Sequence, residues 1–338
     1  MTQAKTEEAA DNQLQTGPDY IRVMCVFATN QCNLACTHCC APTVKVAKKA
    51  VHLKWEDFKN AIDIFMDPKQ TPYPGQKVIS IQGGETFLVY PLLEKAVQYA
   101  ERFTNKPIFS IHTNGTLIKP EQIRKFQEHG AEVLISLDGH KGDNDRFRCF
   151  PAGSSHSVWE TVMGKIKDLP KDGLGVNMTL RPPTLAGTID ALEAFSEIGI
   201  KLVNLEPDCY HHWTKEELGK LAAFFQQLAD YYVRRTEAEG QCPFHIGTLH
   251  DGLERSEYLK QGKRWWLDCT QLILGADGNF YNCEASNFYD YDTPADFNWE
   301  AAAKHHSISH ASAGRGVNWA KRQEYMDEAD QALGSLSP

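Results

Sequence analysis

The sequence predicts an α/β protein in which a parallel sheet alternates with helices. Three observations support this fold class. Short apolar runs of strand length alternate with helical patterns from about residue 22 to residue 235. The 338 residues are 42% hydrophobic, which is enough to bury a sizeable core. The alternation stops after residue 240, where aromatic residues, glycine and aspartate become frequent.

Six strand-then-helix units are predicted in chain order. The strands are 22–28, 78–81, 107–111, 133–137, 174–180 and 202–205, and the helices that follow them are 55–66, 91–103, 120–129, 158–169, 189–198 and 215–235. Such units form parallel sheets with right-handed crossovers. Six units are fewer than the eight of a closed barrel, so a doubly wound sheet and an open, partial barrel both fit.

The composition divides the chain into three parts. Residues 1–19 are polar and are predicted to form a flexible arm. Residues 20–239 carry the strand-and-helix units and form the predicted core. Residues 240–338 are predicted to form a cap over the sheet, with a helix over 299–333. Within this cap, residues 276–279 (Ala-Asp-Gly-Asn) predict a hairpin turn between two short strands.

Charge and hydropathy exclude several classes of partner. The net charge is −9 and no long Lys/Arg run is present, whereas proteins that bind a nucleic-acid backbone usually show a basic face. No apolar run has the length of a membrane span, and the N-terminus lacks a signal-peptide pattern. We therefore expect a cytoplasmic protein. In a reducing compartment, clustered cysteines indicate metal binding or catalysis rather than disulfides.

Three of the ten cysteines lie close together after the first predicted strand. Cys32, Cys36 and Cys39 have the spacing C-x3-C-x2-C. Three thiolates on one short loop can ligate one face of an iron–sulfur cubane and leave the fourth iron open. A structural zinc site is an alternative, although such sites usually use two separated ligand pairs and close all four positions. A set of buried free thiols is a second alternative.

Polar and glycine-rich motifs follow the next three predicted strands. Such loops carry the chemistry in parallel α/β folds, because they meet at the carboxyl edge of the sheet. Taken singly, each motif could be an ordinary turn or a solvated loop. The candidate residues are Gly83, Gly84 and Glu85 after the second strand, Thr113 and Asn114 after the third, and Ser136, Asp138 and Arg148 after the fourth.

Taken together, the order of these motifs over residues 20–205 resembles the radical S-adenosylmethionine (SAM) superfamily, in particular its SPASM/twitch-like subgroup. The resemblance implies a partial (β/α)6 TIM-like barrel with a C-terminal twitch-like hairpin and helix. It also implies that Cys32, Cys36 and Cys39 hold a [4Fe–4S] cluster whose fourth iron is chelated by SAM. The family's histidine before the Asp-x-x-Arg stretch is replaced by Asn144, and Arg148 fits the spacing better than Arg146.

The resemblance further implies which residues contact SAM. His38 would pack near the adenine, and Gly83, Gly84 and Glu85 would meet the amino group. Thr113 and Asn114 would lie at the cofactor's edge. Ser136 would bind the ribose or carboxylate, Arg148 would pair with a carboxylate, and Asp138 would belong to the same cofactor-binding stretch. Cys40 has no implied role, and no residue is identified as catalytic.

The C-terminal cysteines leave three alternatives. Cys269 and Cys283 flank the predicted hairpin, which resembles the opening of SPASM and twitch domains. No cysteine follows Cys283 in these 338 residues, so we do not expect a complete SPASM domain. An auxiliary cluster would need Cys209 or Cys242 to join the pair, since clusters usually need three or four thiolates. The pair could instead donate a hydrogen atom or be structural, and we expect only the SAM-binding cluster.

Three functional hypotheses follow. In the first, the cleavage of SAM produces a 5′-deoxyadenosyl radical that abstracts hydrogen from a C–H bond of a peptide or peptide-bound residue. In the second, the same chemistry acts on a small molecule such as a sugar, an amino acid or a nucleoside. In the third, the chain is a metal-binding module without catalysis. Both enzymatic hypotheses require a one-electron donor such as flavodoxin or ferredoxin.

Overall fold

The fold was analysed in a computed structural model. It describes residues 21–39, 50–208, 211–241, 244–247, 249, 271–281, 307–313 and 316–324. The predicted N-terminal arm lies outside the described residues. So do five cysteines that the sequence singles out, which are Cys40, Cys209, Cys242, Cys269 and Cys283.

Ten strands and seven helices are described. The strands are β1 (Val23–Thr29), β2 (Val78–Gly83), β3 (Ile108–Thr113), β4 (Glu132–Ser136), β5 (Leu174–Leu180), β6 (Leu202–Pro207), β7 (His245–Ile246), β8 (Gln271–Leu274), β9 (Asn279–Tyr281) and β10 (Ser307–His310). The helices are α1 (Trp55–Met66), α2 (Tyr90–Ala100), α3 (Pro120–Glu128), α4 (Lys141–Phe147), α5 (Val158–Ile166), α6 (Thr188–Glu197) and α7 (Lys215–Glu239).

All the strands belong to one sheet with the order β10-β9-β8-β1-β2-β3-β4-β5-β6-β7. Strands β1 to β7 are parallel to their neighbours. The α/β class and the six predicted units are therefore confirmed, within two or three residues at most strand ends. The sequence did not predict the short helix α4 or the two-residue strand β7.

The C-terminal segment departs from the prediction in two ways. The predicted hairpin is present, since β8 and β9 pair antiparallel, but β8 also pairs in parallel with β1 and so extends the sheet. Ser307–His310 form strand β10 where a helix was predicted, which is a correction. Buried Ile308 lies between Ser307 and Ser309, and this alternation suits a strand better than a helix. The predicted core and cap boundaries remain predictions.

The two faces of the sheet differ in polarity. On the outer face, alternate strand residues such as Ile79, Ile111 and Val176 join the core that packs against the helices. Helix α1 contributes Phe58, Ile62 and Phe65 to this core, at the spacing of one helical face. Because successive side chains of a strand alternate in direction, the residues between them point to the opposite, inner face.

One helix boundary is explained by its capping residues. Helix α7 begins with a capping box in which Thr214 and Glu217 each bond to the other's backbone N–H. It ends at Gly240, whose φ of 75° is favoured by glycine. In the described part of the chain, no helix is long and apolar enough to span a membrane.

Candidate cofactor site

The three cysteines lie on the loop that follows β1, at the carboxyl edge of the sheet. Cys32 and Cys36 are half-buried, whereas Cys39 is exposed. Two backbone hydrogen bonds fix this loop to the last residue of α4 and the chain just after it, from Thr37 N to Phe147 O at 2.8 Å and from Ala35 N to Cys149 O at 2.7 Å. The loop is therefore anchored at two points between its cysteines.

Burial keeps the thiols of the metal-free loop protonated. Burial is the largest cause, the neighbouring thiols act in the same direction, and the pKa is raised to about 12 for Cys32 and to about 11 for Cys36. Cysteine binds a metal as the thiolate, so a cluster held by these residues would displace their protons.

The donor set fits an iron–sulfur cluster better than it fits zinc. Three thiolates lie on one loop, and a zinc site would need a fourth ligand. His38 is the nearest alternative on the loop, but its Nε2 lies 3.8 Å from a carboxylate oxygen of Asp138. Its Nδ1 is buried without a hydrogen-bond partner. Burial, helped by the positive charge of Arg148, lowers the pKa of His38 to about 4.

Gly83 and Gly84 bring the loop after β2 against the chain that leads into the cysteines. Gly83 has φ of 131°, and a Cβ there would lie 2.5 Å from the carbonyl oxygen of Thr29. A Cβ on Gly84 would lie 2.0 Å from the carbonyl oxygen of Gln31. The resemblance implied that these glycines meet the amino group of SAM. The structure shows close approach to the protein's own backbone, immediately before Cys32.

Glu85 is fully buried, and its carboxylate binds protein groups. It accepts hydrogen bonds from Thr113 Oγ1 at 2.6 Å, from Asn114 N at 2.7 Å and from Phe87 N at 3.0 Å. Burial raises its pKa, and these bonds oppose the rise. Glu85 thus joins the loop after β2 to the loop after β3, instead of presenting a free carboxylate to a cofactor.

Asp138 and Arg148, predicted as two separate SAM contacts, are bound to each other. Arg148 donates from Nε to one carboxylate oxygen of Asp138 at 2.7 Å and from Nη2 to the other at 2.8 Å. Thr179 N also donates to Asp138, at 2.8 Å. Both side chains are buried, and the carboxylate raises the pKa of Arg148 against the effect of burial. The structure therefore pairs Arg148 with a carboxylate of this chain.

Asn144 occupies the position where the resembling family carries a histidine. It is fully buried, and its Oδ1 accepts a hydrogen bond from the backbone N–H of Asp138 at 3.1 Å. Arg148 N in turn donates to Asn144 O at 2.8 Å. Asn144 thus positions both partners of the buried ion pair. Ser136 ends β4 beside Asn177 of β5 and is half-buried.

The sequence reasoning missed the polar inner face of the sheet. The signal was present, because serine, asparagine, glutamine and histidine alternate with apolar residues in the strands. One contact on this face joins Ser80 Oγ and His112 Nε2 at 3.3 Å, and burial lowers the pKa of His112 to about 4. The polar inner-face residues of β2 to β6 are Ser80, Gln82, Ser110, His112, Glu132, Ser136, Asn177, Thr179, Asn204 and Glu206.

The fold and the site define an α/β protein with a cysteine-rich loop at the carboxyl edge of an open parallel sheet. The chain matches the Radical SAM superfamily over residues 26–225, which is more than half of its length, and it belongs to that family. Enzymes of this family use a [4Fe–4S] cluster and SAM. The predictions of family, enzyme class and cofactors are confirmed.

Three curated relatives illustrate the range of similar sequences. An uncharacterized protein of Methanocaldococcus jannaschii is 30% identical over 60% of this chain and 71% of its own length. An AdoMet-dependent heme synthase of Nitratidesulfovibrio vulgaris is 29% identical over 64% of this chain and 54% of its own. The sporulation killing factor maturation protein SkfB of Bacillus subtilis is 27% identical over 59% of this chain and 46% of its own. The two relatives of named function are thus matched over about half of their lengths.

Solved structures show the same fold at low sequence identity. Native anSMEcpe with bound AdoMet has a TM-score of 0.62 at 17% identity, covering 92% of this chain and 97% of its own. SuiB of Streptococcus suis bound to its precursor peptide SuiA has a TM-score of 0.56 at 15% identity, covering 85% and 63%. The partial-barrel prediction is thereby confirmed.

Proposed function

We propose that the thiolates of Cys32, Cys36 and Cys39 hold the [4Fe–4S] cluster and that SAM binds beside them along the carboxyl edge of the sheet. The observation that carries this assignment is the convergence of three loops. Glu85 joins the loops after β2 and β3, and Gly84 N and Glu85 N donate to the backbone leading into Cys32, at 2.8 and 2.7 Å. The cluster supplies the electron that cleaves SAM to the 5′-deoxyadenosyl radical.

Each predicted SAM contact receives a role from its surroundings. The backbone of Gly83 and Gly84 is proposed to meet the amino group of SAM, while Glu85 and Thr113 hold that backbone in place. Ser136 is proposed to contact the ribose or carboxylate, and His38 the adenine. Asp138 and Arg148 are proposed to position this edge, since their charges are bound to each other. Asn114 is proposed to act at the sulfur of Cys32.

The cluster assignment is tested by anaerobic reconstitution of the full chain. We expect about four irons per chain and formation of 5′-deoxyadenosine with dithionite and SAM. Cys32→Ser, Cys36→Ser and Cys39→Ser should each abolish this reaction. Cys149→Ser is the matched control, because Cys149 lies beside the loop, with its Sγ 3.0 Å from Ala35 O, but outside the motif. Wild-type protein that binds zinc alone and forms no 5′-deoxyadenosine would refute the assignment.

The proposed substrate is a peptide or a residue within a peptide. SkfB is by name the maturation protein of a sporulation killing factor, and two solved structures of the same fold, anSMEcpe and SuiB, contain bound peptides. The inner face of the sheet is lined mainly by amide, hydroxyl and neutral imidazole groups, which can hydrogen-bond to a peptide backbone. Hydrogen abstraction from an unactivated C–H bond requires only that this surface hold the target carbon near the radical.

A small-molecule substrate is the second candidate, because relatives of comparable identity are heme synthases. One experiment separates the two. Extract from cells grown in deuterated medium is size-fractionated and added to enzyme, SAM and dithionite, and deuterium in 5′-deoxyadenosine is measured by mass spectrometry. A peptide substrate predicts deuterium transfer that protease treatment of the fraction abolishes. Transfer that survives the protease in the smallest fraction would show a small-molecule substrate instead.

A further inference from the structure

A closed ring of hydrogen bonds joins the cysteine loop to the loop after β3. Asn114 Nδ2 donates to Asn33 Oδ1 at 2.8 Å, Asn33 Nδ2 donates to Thr116 Oγ1 at 2.7 Å, and Thr116 Oγ1 donates to Asn114 Oδ1 at 2.7 Å. Each group in the ring both donates and accepts. The ring lies next to the first cysteine of the motif, since Asn33 follows Cys32 directly.

The ring determines which end of the Asn114 amide faces the sulfur. The backbone N–H of Thr116 can only donate, and it donates to Asn114 Oδ1 at 2.9 Å. The NH2 end is therefore on the other side, where Nδ2 lies 3.7 Å from Cys32 Sγ. The same sulfur accepts a second hydrogen bond from Leu34 N, at 3.4 Å. The side chain of Asn114 thus presents a donor to a thiol that is proposed to bind iron.

A donor at this sulfur has a defined electrostatic consequence. Three thiolates and a [4Fe–4S]2+ core carry a net negative charge, and one electron from a low-potential donor makes it more negative. Hydrogen bonds to the ligand sulfurs stabilise the reduced form and raise the reduction potential. The charge of Arg148 is offset by its ion pair with Asp138, and the Asn114 amide is a neutral but directed source of positive potential at the sulfur of Cys32.

We propose that Asn114 tunes the reduction potential of the cluster through an N–H···S hydrogen bond to Cys32, and that Asn33 and Thr116 orient its amide for this purpose. The inference rests on the proposed cluster. It gives Asn114 a positioning and tuning role at the sulfur, beyond the predicted place at the edge of SAM. It differs from a purely mechanical role of the ring, which would hold the loop without changing the potential.

The test is a potentiometric titration of the reconstituted full chain, without SAM, followed by the EPR signal of the reduced cluster. Asn114→Leu removes the donor at similar volume. We expect the reduced-to-oxidised ratio at a fixed potential to fall about three- to tenfold, a shift of roughly 30 to 60 mV to more negative potential at ~59 mV per tenfold for one electron. Thr116→Val, which retains Asn114 but loosens the ring, should shift the potential in the same direction by less.

The matched control is Thr37→Val. It removes a hydrogen bond of the same loop, from Thr37 Oγ1 to Phe147 O at 3.4 Å, that does not reach a sulfur, and the potential should not change. Asn114→Leu with a full cluster and a wild-type potential would overturn the proposal. If Asn114→Leu binds no cluster, an unchanged potential in Thr116→Val overturns it instead. Absence of a cluster from the wild type would contradict the proposed function, which is a separate outcome.

Discussion

The buried pair of Asp138 and Arg148 allows the sharpest test of the site's architecture. The side chains are 2% and 9% exposed, so this pair lies in the regime of buried ion pairs and not of surface ones. Removing one partner leaves an uncompensated buried charge, which costs about 3–5 kcal/mol. We therefore expect Asp138→Leu and Arg148→Met each to lower the free energy of unfolding by about that amount.

The double variant isolates the interaction energy between the two side chains from the effect of removing each one. Replacing both partners by apolar residues removes both charges, and such replacements are often neutral. The double variant also loses the hydrogen bond from Thr179 N to Asp138, which should cost about 1–3 kcal/mol because that N–H is left without its acceptor. The double variant Asp138→Leu/Arg148→Met should therefore lose less free energy of unfolding than the sum of the losses in the two single variants. The difference, which is the coupling energy, should exceed about 2 kcal/mol.

The assay is urea unfolding of the metal-free protein under reducing, oxygen-free conditions, followed by circular dichroism. The control pair is Lys141 and Glu160, which are 50% and 60% exposed and whose removal should cost at most about 1 kcal/mol. A coupling energy below about 1 kcal/mol between Asp138 and Arg148 would refute the buried pair. The affinity of the reconstituted double variant for SAM then shows whether Arg148 acts on SAM directly or through Asp138. We expect the double variant to bind SAM more tightly than the single variants, which indicates that Arg148 does not bind SAM directly.

Two further predictions concern the glycine loop and the buried histidines. Gly84→Ala should destabilise the protein by several kcal/mol and impair cluster reconstitution, because its Cβ would clash with Gln31 O. The control Gly142→Ala, which has open space around its Cβ, should have neither effect. Equal iron content in the two variants would contradict the close approach at Gly84. The folded state holds His38 and His112 neutral, with pKa values near 4, so the unfolded state binds more protons below about pH 6.5. The urea concentration at the unfolding midpoint should therefore be highest above pH 6.5 and should decrease as the pH falls toward 4. The decrease should be smaller in His112→Gln. A midpoint that does not change with pH over this range would contradict the prediction.

The sequence alone determined the order of elements and the cofactor class. Strand and helix periodicity gave six units within a few residues, because burial against one side of a sheet imposes a pattern on neighbouring residues. The spacing of Cys32, Cys36 and Cys39 favoured a cluster over zinc or free thiols, and the order of the downstream motifs, which resembles the radical SAM superfamily, implied the cofactors. These features are local in the chain, and local patterns are what a sequence displays directly.

Only the tertiary structure decided which charges remain available to a cofactor. Glu85 and Arg148 are charged in the sequence and were predicted to contact SAM. The partners of Glu85, Thr113 and Asn114, come from the end of the next strand and the loop after it, and the partner of Arg148, Asp138, lies ten residues earlier, on the other side of helix α4. The pairing of β8 with β1 joins residues some 250 positions apart and was equally invisible in the sequence. Long-range pairing depends on which strand ends meet at the same edge of the sheet, and no local pattern records it.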